Sequence, residues 1–283
     1  MKNLIAKIAV TGASLALAAS VHAGNITVKG SDTMVILAQK WAEVYMQKHA
    51  ETKIQVTGGG SGTGIAALQN KATDICNSSR KIRAKEIEAC IKAFGKAPRE
   101  YKVALDGLSV YVNDANPIKQ LSIPQLEAIF TGKTKNWKEV GGPDASIILY
   151  SRENSSGTYE FFKEHVLKGK DFAATAQTLP GTAQVLQNVA KEKNGIGYGG
   201  AAYGAGAKHL AIAKDEGGTA IEPKEETVVG GTYPISRHLF IYLNPALDKG
   251  EIEAYINWIR SDDGQKVVKD IGYFPVPANL RQK

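Results

Sequence analysis

The chain has 283 residues, 43% of them hydrophobic and 22% charged, with 29 Gly, 10 Pro and only 2 Cys. That is enough chain to bury one large or two mid-sized cores without covalent staples, which excludes a disordered chain and a small disulfide-rich scaffold. The formal charge of +7 points toward an anionic partner without fixing its size or kind.

Lys2 and Lys7 precede an apolar, small-residue stretch over residues 8–19, and Val21 and Ala23 then supply the small residues of a signal-peptidase site. Residues 1–23 are expected to be a secretory signal cleaved after Ala23. The apolar stretch falls short of the roughly 20 residues needed to cross a bilayer, so the mature chain is expected to be exported and soluble. An oxidising compartment makes Cys76 and Cys90 candidates for one disulfide, with two separate buried thiols as the alternative.

Beyond the signal, strand-like and helix-like segments alternate, the pattern of an α/β protein with a mostly parallel sheet. Residues 25–29 predict a strand, and Met34, Leu37, Ala38, Trp41, Val44 and Tyr45 then recur at helical spacing. Residues 53–57 predict a second strand, followed by the glycine-rich run 58–64 and a short apolar helix. A third strand is expected over 73–76, then Asn77-Ser78-Ser79-Arg80 and a charged helix from about Ala84. Residues 103–112 read as strand interrupted by Asp106-Gly107. In the second half, Ser122 is a helix cap with Pro124 in the first turn, and residues 147–151 predict a strand running into 152–158 and a helix carrying Phe161, Phe162 and Val166. A helix near 183–190, strands over 195–199 and 239–243, and two closing helices complete the chain.

Three segments share one design: a strand ends, Gly, Ser and Thr follow, and a helix begins. They are Gly30-Ser31-Asp32-Thr33, Gly60-Ser61-Gly62-Thr63 and Ser155-Ser156-Gly157-Thr158. Helix N-termini carry backbone N–H groups without intrahelical partners and the positive end of the helix dipole, so they bind anions. Ser and Thr are also ordinary helix caps, but three such segments at the carboxyl ends of strands point to a shared oxyanion site. Arg152 precedes the third segment and can hold a tetrahedral oxyanion through two parallel hydrogen bonds. Arg80 is a candidate second cation, with a surface ion pair as the alternative.

Other chemistries fit less well. The glycine-rich run lacks the Gly-Lys-Ser/Thr ending of a nucleotide P-loop, and no Gly-x-Ser-x-Gly elbow is present. The histidines do not stand at metal-ligand spacing, so no metal or cofactor is expected. The lysines are scattered without interleaved aromatics, which argues against nucleic acid. A secreted phosphatase with Ser61 or Ser156 as nucleophile stays as the enzymatic alternative.

Taken in order, these motifs, together with Ala104-Leu105-Asp106-Gly107-Leu108 and Ile129-Phe130-Thr131-Gly132-Lys133, resemble the periplasmic phosphate-binding proteins of high-affinity phosphate ABC transporters, a group of type II solute-binding proteins. The resemblance spans the mature chain. It implies two α/β lobes joined by two strand crossings, with phosphate clamped in the cleft, a membrane permease as partner, a monomer, and no covalent chemistry. The lobes are expected at 24–114 plus 236–283 and at 115–235. The implied ligand residues are Ser31, Thr33, Ser61, Gly62, Ser79 and Arg80 from the first lobe and Arg152, Ser155, Ser156, Gly157 and Thr158 from the second. Many relatives carry an aspartate where this chain has Ser79, and that aspartate accepts the phosphate proton. Asp32 and Asp106 are the candidate replacement acceptors, and sulfate or molybdate are the alternative ligands.

Overall fold

The computed structural model of the chain describes residues 25–204 and 206–281, so the secretory signal expected over 1–23 lies outside the described residues. The first elements follow the hydrophobic spacing: β1 (Asn25–Gly30), α1 (Val35–Lys48), β2 (Lys53–Thr57), α2 (Ser61–Gln69), β3 (Ile75–Ser78), α3 (Ala84–Phe94) and β4 (Arg99–Gly107). Helix α1 forms because Leu37, Ala38, Trp41 and Tyr45 recur on one face and are all buried. Strand β1 pairs in parallel with both β2 and β3, and α1 and α2 are the crossovers that parallel pairing requires.

The chain then changes sheets. Next come β5 (Ser109–Val112), β6 (Gln120–Ser122), α4 (Ile123–Phe130), β7 (Ile148–Arg152), α5 (Gly157–His165), β8 (Gln177–Leu179), α6 (Thr182–Lys191) and β9 (Gly195–Gly199). They are followed by β10 (Lys208–His209), β11 (Ala211–Ala213), β12 (Ala220–Ile221), α7 (Glu225–Val229), β13 (Ser236–Leu243), α8 (Gly250–Arg260) and α9 (Asp262–Ile271). Helix α4 starts where Ser122 and Gln125 cap one another's backbone N–H groups with Pro124 in the first turn. One sheet has the order β2-β1-β3-β13-β4, the other β10-β5-β9-β7-β8, and β12-β11-β6 form a small third sheet.

Neither large sheet is as parallel as expected. Strand β13 runs antiparallel to β3 and β4, and β5 runs antiparallel to β9. These are the strands that continue or end a passage between sheets, so each enters its sheet against the direction of its neighbours. The stretch read as one interrupted strand over 103–112 is therefore two strands in two sheets. One passage from sheet to sheet lies at Leu108, between β4 and β5, and the other lies beside Ile235, ahead of β13. The two passages are tied together: Leu108 N donates to Ile235 O at 3.0 Å and Tyr233 Oη to Leu108 O at 2.9 Å.

Each lobe has its own core. Trp41, Tyr45, Tyr255 and Ile256 belong to the first; Phe130, Trp137, Phe162 and Tyr198 belong to the second. Cys76 and Cys90 are both free and buried, packed with Ile65, Leu68 and Tyr242. The expected disulfide is thus replaced by two buried thiols. Burial pushes both thiols up, Cys90 to about 11, so they stay protonated and pack as small hydrophobes. Among the described residues no helix is long and apolar enough to cross a membrane.

Candidate functional site

The three glycine- and hydroxyl-rich segments meet where the two lobes touch. The end of β1 turns through Ser31 into a short 3-10 turn that leads α1, while α2 begins at Ser61 and α5 at Gly157. Gly60 has φ of 93°, and a Cβ there would lie 2.4 Å from Ser155 O, so a side chain is excluded twice over. Gly62 N donates to Ser155 O at 2.9 Å across the lobes. A Cβ on Gly157 would lie 2.3 Å from Ser61 Oγ. Glycine here is what allows the backbone of one lobe to reach the hydroxyls of the other.

Four hydroxyls form the centre. Thr33 Oγ1 and Thr158 Oγ1 are 2.6 Å apart, Ser79 Oγ and Thr158 Oγ1 3.4 Å, and Ser61 Oγ and Ser79 Oγ 3.3 Å. Ser79 N also donates to Ser61 Oγ at 3.0 Å. Thr33, Ser61, Ser79 and Thr158 are all buried, Thr158 completely at 0% exposure. Thr158 comes from the second lobe and the other three from the first, so this cluster joins the lobes.

The cation that touches the cluster is one that sequence reasoning missed. Arg237, near the start of β13, donates from Nη2 to Thr158 Oγ1 at 2.9 Å. Its Nε and Nη2 also bond Asp106 Oδ2 at 3.1 and 2.8 Å, and its Nη1 is buried without a protein partner. The local signal was weak, because Arg237 stands outside any glycine-rich run. Asp106 accepts from Arg237 on one oxygen and from Ala201 N at 3.0 Å on the other. Both oxygens are thus engaged, one fixing Arg237 and the other the backbone at Ala201.

Arg152 stands at the end of β7 and holds the lobes together on another side. Its Nη2 bonds Asp32 Oδ2 at 2.8 Å and Pro180 O at 2.9 Å, and its Nη1 bonds Thr182 Oγ1 at 2.8 Å. Burial lowers its guanidinium below the ordinary arginine range, against the pull of Asp32. Asp32 uses its second oxygen to accept from Gly59 N at 2.8 Å. Its two oxygens are therefore also occupied. Ser156 Oγ caps α5 by accepting from Thr158 N and Tyr159 N at 3.2 and 3.3 Å. Ser31 Oγ is buried with no protein partner. Ser155 contributes its backbone carbonyl, as the Gly62 contact shows. Ser61 bonds Ser79 and Ser156 caps a helix, so neither serine is paired with a general base of the kind a nucleophile needs.

Arg80 does not reach the cluster. Its Nη1 and Nη2 hold Glu86 at 2.8 and 2.7 Å, and its Nε is ion-paired with Glu160. Burial alone would lower Arg80, but Glu86 and Glu160 outweigh it and hold the guanidinium above its ordinary value. Burial likewise works against Glu86, yet Arg80 and the Arg83 N–H keep its carboxyl below the glutamate range. A carboxyl depressed by folding stabilises the protein above its unfolded value and loses that contribution as pH falls through its folded one. Glu86→Gln is therefore expected to flatten the acid limb of a urea-midpoint profile. An unchanged acid limb would show that the pair does not contribute.

Relatives and solved structures place this arrangement in a known family. The PBP superfamily domain matches residues 18–263. The chain is 37% identical over 281 residues to phosphate-binding protein PstS of Pseudomonas aeruginosa, covering 94% of this chain and 87% of the relative. It is 34% identical over 255 residues to phosphate-binding protein PstS of Bacillus subtilis, covering 89% of this chain and 81% of that one. A putative phosphate ABC transporter substrate-binding protein with bound phosphate from Clostridium perfringens superposes with a TM-score of 0.82 at 27% identity, over 90% of this chain and 100% of that one. With two α/β lobes, two passages between them and a cluster of hydroxyls at converging helix starts, the chain belongs to the PBP superfamily and, within it, to the phosphate-binding proteins of the PstS kind.

Proposed function

We propose that this protein captures inorganic phosphate between its lobes and delivers it to the membrane permease of an ABC transporter, acting in the periplasm after export. The lobes in this reading are residues 25–107 with 236–281 and residues 109–235, and the work is binding and lobe movement without covalent chemistry. One observation carries it: Thr158 of one lobe bonds Thr33 and Ser79 of the other at 2.6 and 3.4 Å, at the junction of three helix starts. A tetrahedral oxyanion would replace these hydroxyl–hydroxyl bonds, with each hydroxyl donating to it. The unpartnered Nη1 of Arg237 and Nε of Arg152 are further donors on side chains that bond Thr158 and Asp32.

The charge balance sharpens this reading. Arg237 is offset by Asp106 and Arg152 by Asp32, so neither brings a free positive charge. Helix termini and hydroxyl dipoles then carry most of the anion's stabilisation. Asp106 and Asp32 each already hold an arginine and a backbone N–H, and the hydroxyl oxygens of Thr33, Ser61 and Ser79 offer further acceptors for the phosphate proton.

A thermal-shift comparison of phosphate, sulfate and molybdate tests the proposal. Ligand at one hundred times its dissociation constant stabilises a protein by about 2.7 kcal/mol, and phosphate is expected to give the largest shift at equal concentration. Equal stabilisation by sulfate would overturn phosphate as the selected ligand.

A further inference from the structure

A further segment crosses between the lobes at the site, and it offers no serine or threonine. After β9 the second lobe runs into a tight turn over residues 200–203. Tyr111 Oη, from β5 of the same lobe, donates to Gly200 O at 2.8 Å and anchors the turn. From there the turn reaches the first lobe twice. Ala201 N donates to Asp106 Oδ1 at 3.0 Å, and Tyr203 Oη donates to Asp32 O at 2.6 Å. Gly200 has to be small, because a Cβ there would lie 2.8 Å from Thr33 Cγ2 and 2.5 Å from Tyr273 Oη.

Two tyrosines therefore converge on the backbone of Asp32 and Thr33. Tyr203 holds Asp32 O, and Tyr273, just past α9, donates to Thr33 O at 2.6 Å. Burial pushes both phenols well above their ordinary range, so each stays protonated and able to donate. They differ in origin: Tyr273 shares the lobe of Thr33, whereas Tyr203 comes from the other. Asp32 O already accepts from Val35 N, so Tyr203 restrains this oxygen more than it satisfies it. Asp32 O and Thr33 N–H are the two ends of one planar peptide unit. A bond at the oxygen fixes the plane from which Thr33 presents its hydroxyl to Thr158, and it strengthens the N–H at the far end as a donor.

We propose that Tyr203 is a positioning residue for the oxyanion site: brought across from the second lobe, its hydroxyl sets the Asp32–Thr33 peptide, so the first lobe's share of the site is complete only when the lobes meet. The proposal rests on the reading of the hydroxyl cluster as the phosphate site. It places the effect on release, because the bond exists only while the lobes are together and takes no part in the first encounter.

The test is rapid filtration with radiolabelled phosphate, which yields association and dissociation separately, together with thermal melting of the ligand-free chain. Tyr203→Phe keeps the ring and removes one hydroxyl. Dissociation is expected to quicken about fivefold, association to stay within about twofold, and ligand-free melting to stay close to wild type. Tyr273→Phe removes the equivalent bond inside one lobe and is the comparison, expected to lower the ligand-free melting temperature by about 2–4 °C. In a Thr33→Val background, Tyr203→Phe is expected to change dissociation by less than about twofold. The full fivefold there would show that the phenol only holds the lobes together and would overturn the positioning role, as would wild-type dissociation in Tyr203→Phe itself. An equal loss of melting temperature in the two tyrosine variants would make the bond a structural one and overturn it as well. Absence of phosphate binding by the wild-type chain would instead overturn the ligand reading, and the same comparison would then be made with sulfate.

Discussion

Replacing Arg237 by lysine is expected to lower phosphate affinity by about a hundredfold or more while the protein stays folded. The guanidinium makes three bonds in fixed directions, two to Asp106 and one to Thr158. A lysine ammonium keeps the charge beside Asp106 but cannot hold both partners in that geometry. Loss of a buried, hydrogen-bonded charge contact at a binding site costs about 2–5 kcal/mol of affinity. Arg237→Ala should be worse in a different way. It leaves Asp106, at 0% exposure, without its cation, and breaking a buried pair this way destabilises a fold by about 3–5 kcal/mol. Titration calorimetry with Arg237→Lys and urea unfolding with Arg237→Ala separate the two effects. Near wild-type binding by the lysine variant would remove Arg237 from the ligand site.

The second large effect is expected from a single methyl group. In Gly157→Ala the new Cβ would lie 2.3 Å from Ser61 Oγ, 2.9 Å from Ser61 Cβ and 2.9 Å from Ser79 Oγ. All three atoms belong to the opposite lobe. Within its own lobe the substitution is at the first residue of α5, where alanine is a better helix former than glycine. The protein should therefore fold with a melting temperature close to wild type and bind phosphate at least about a hundredfold more weakly, because the lobes cannot reach their closed separation. Gly62→Ala is the matched comparison. Its nearest contact would be Ser155 O at 3.3 Å, a spacing that a small shift relieves, and most of the affinity should remain. Wild-type affinity in Gly157→Ala would mean that the ligand is held with the lobes further apart.

These two residues also mark what could be read from the chain. Gly157, Thr158, Ser61 and Thr33 were legible because the signal is local: a strand, a small polar turn and a helix start within a few residues. Their convergence followed from the rule that α/β proteins bind ligands at the carboxyl ends of strands. Arg237 was not legible because it lies 79 residues from Thr158 and arrives through the second passage between lobes. Arg80 could be read either as a second site cation or as half of an ion pair, and sequence alone does not decide between them. It adjoins Ser79 in sequence, but Glu86, one turn into the next helix, and Glu160, from the other lobe, compete for its guanidinium. In the fold, the strand–helix alternation of the first lobe was clear from periodicity. The short strands β6, β8, β10, β11 and β12 were not, since two or three residues carry no period.

The paired passages between the lobes have a mechanical consequence. A single connecting strand would behave as a ball joint, free to bend and to twist. Here the Leu108 N to Ile235 O bond and the Tyr233 Oη to Leu108 O bond lace two strands into one leaf. A laced pair resists torsion and leaves bending about one axis. The second passage enters β13 at Ser236, and the next residue is Arg237. The guanidinium that contacts Thr158 is therefore mounted one residue from the pivot, where it moves least as the jaws part. Thr33, Ser61 and Ser79 share its lobe, so a parting of the lobes would carry Thr158 alone away from Arg237.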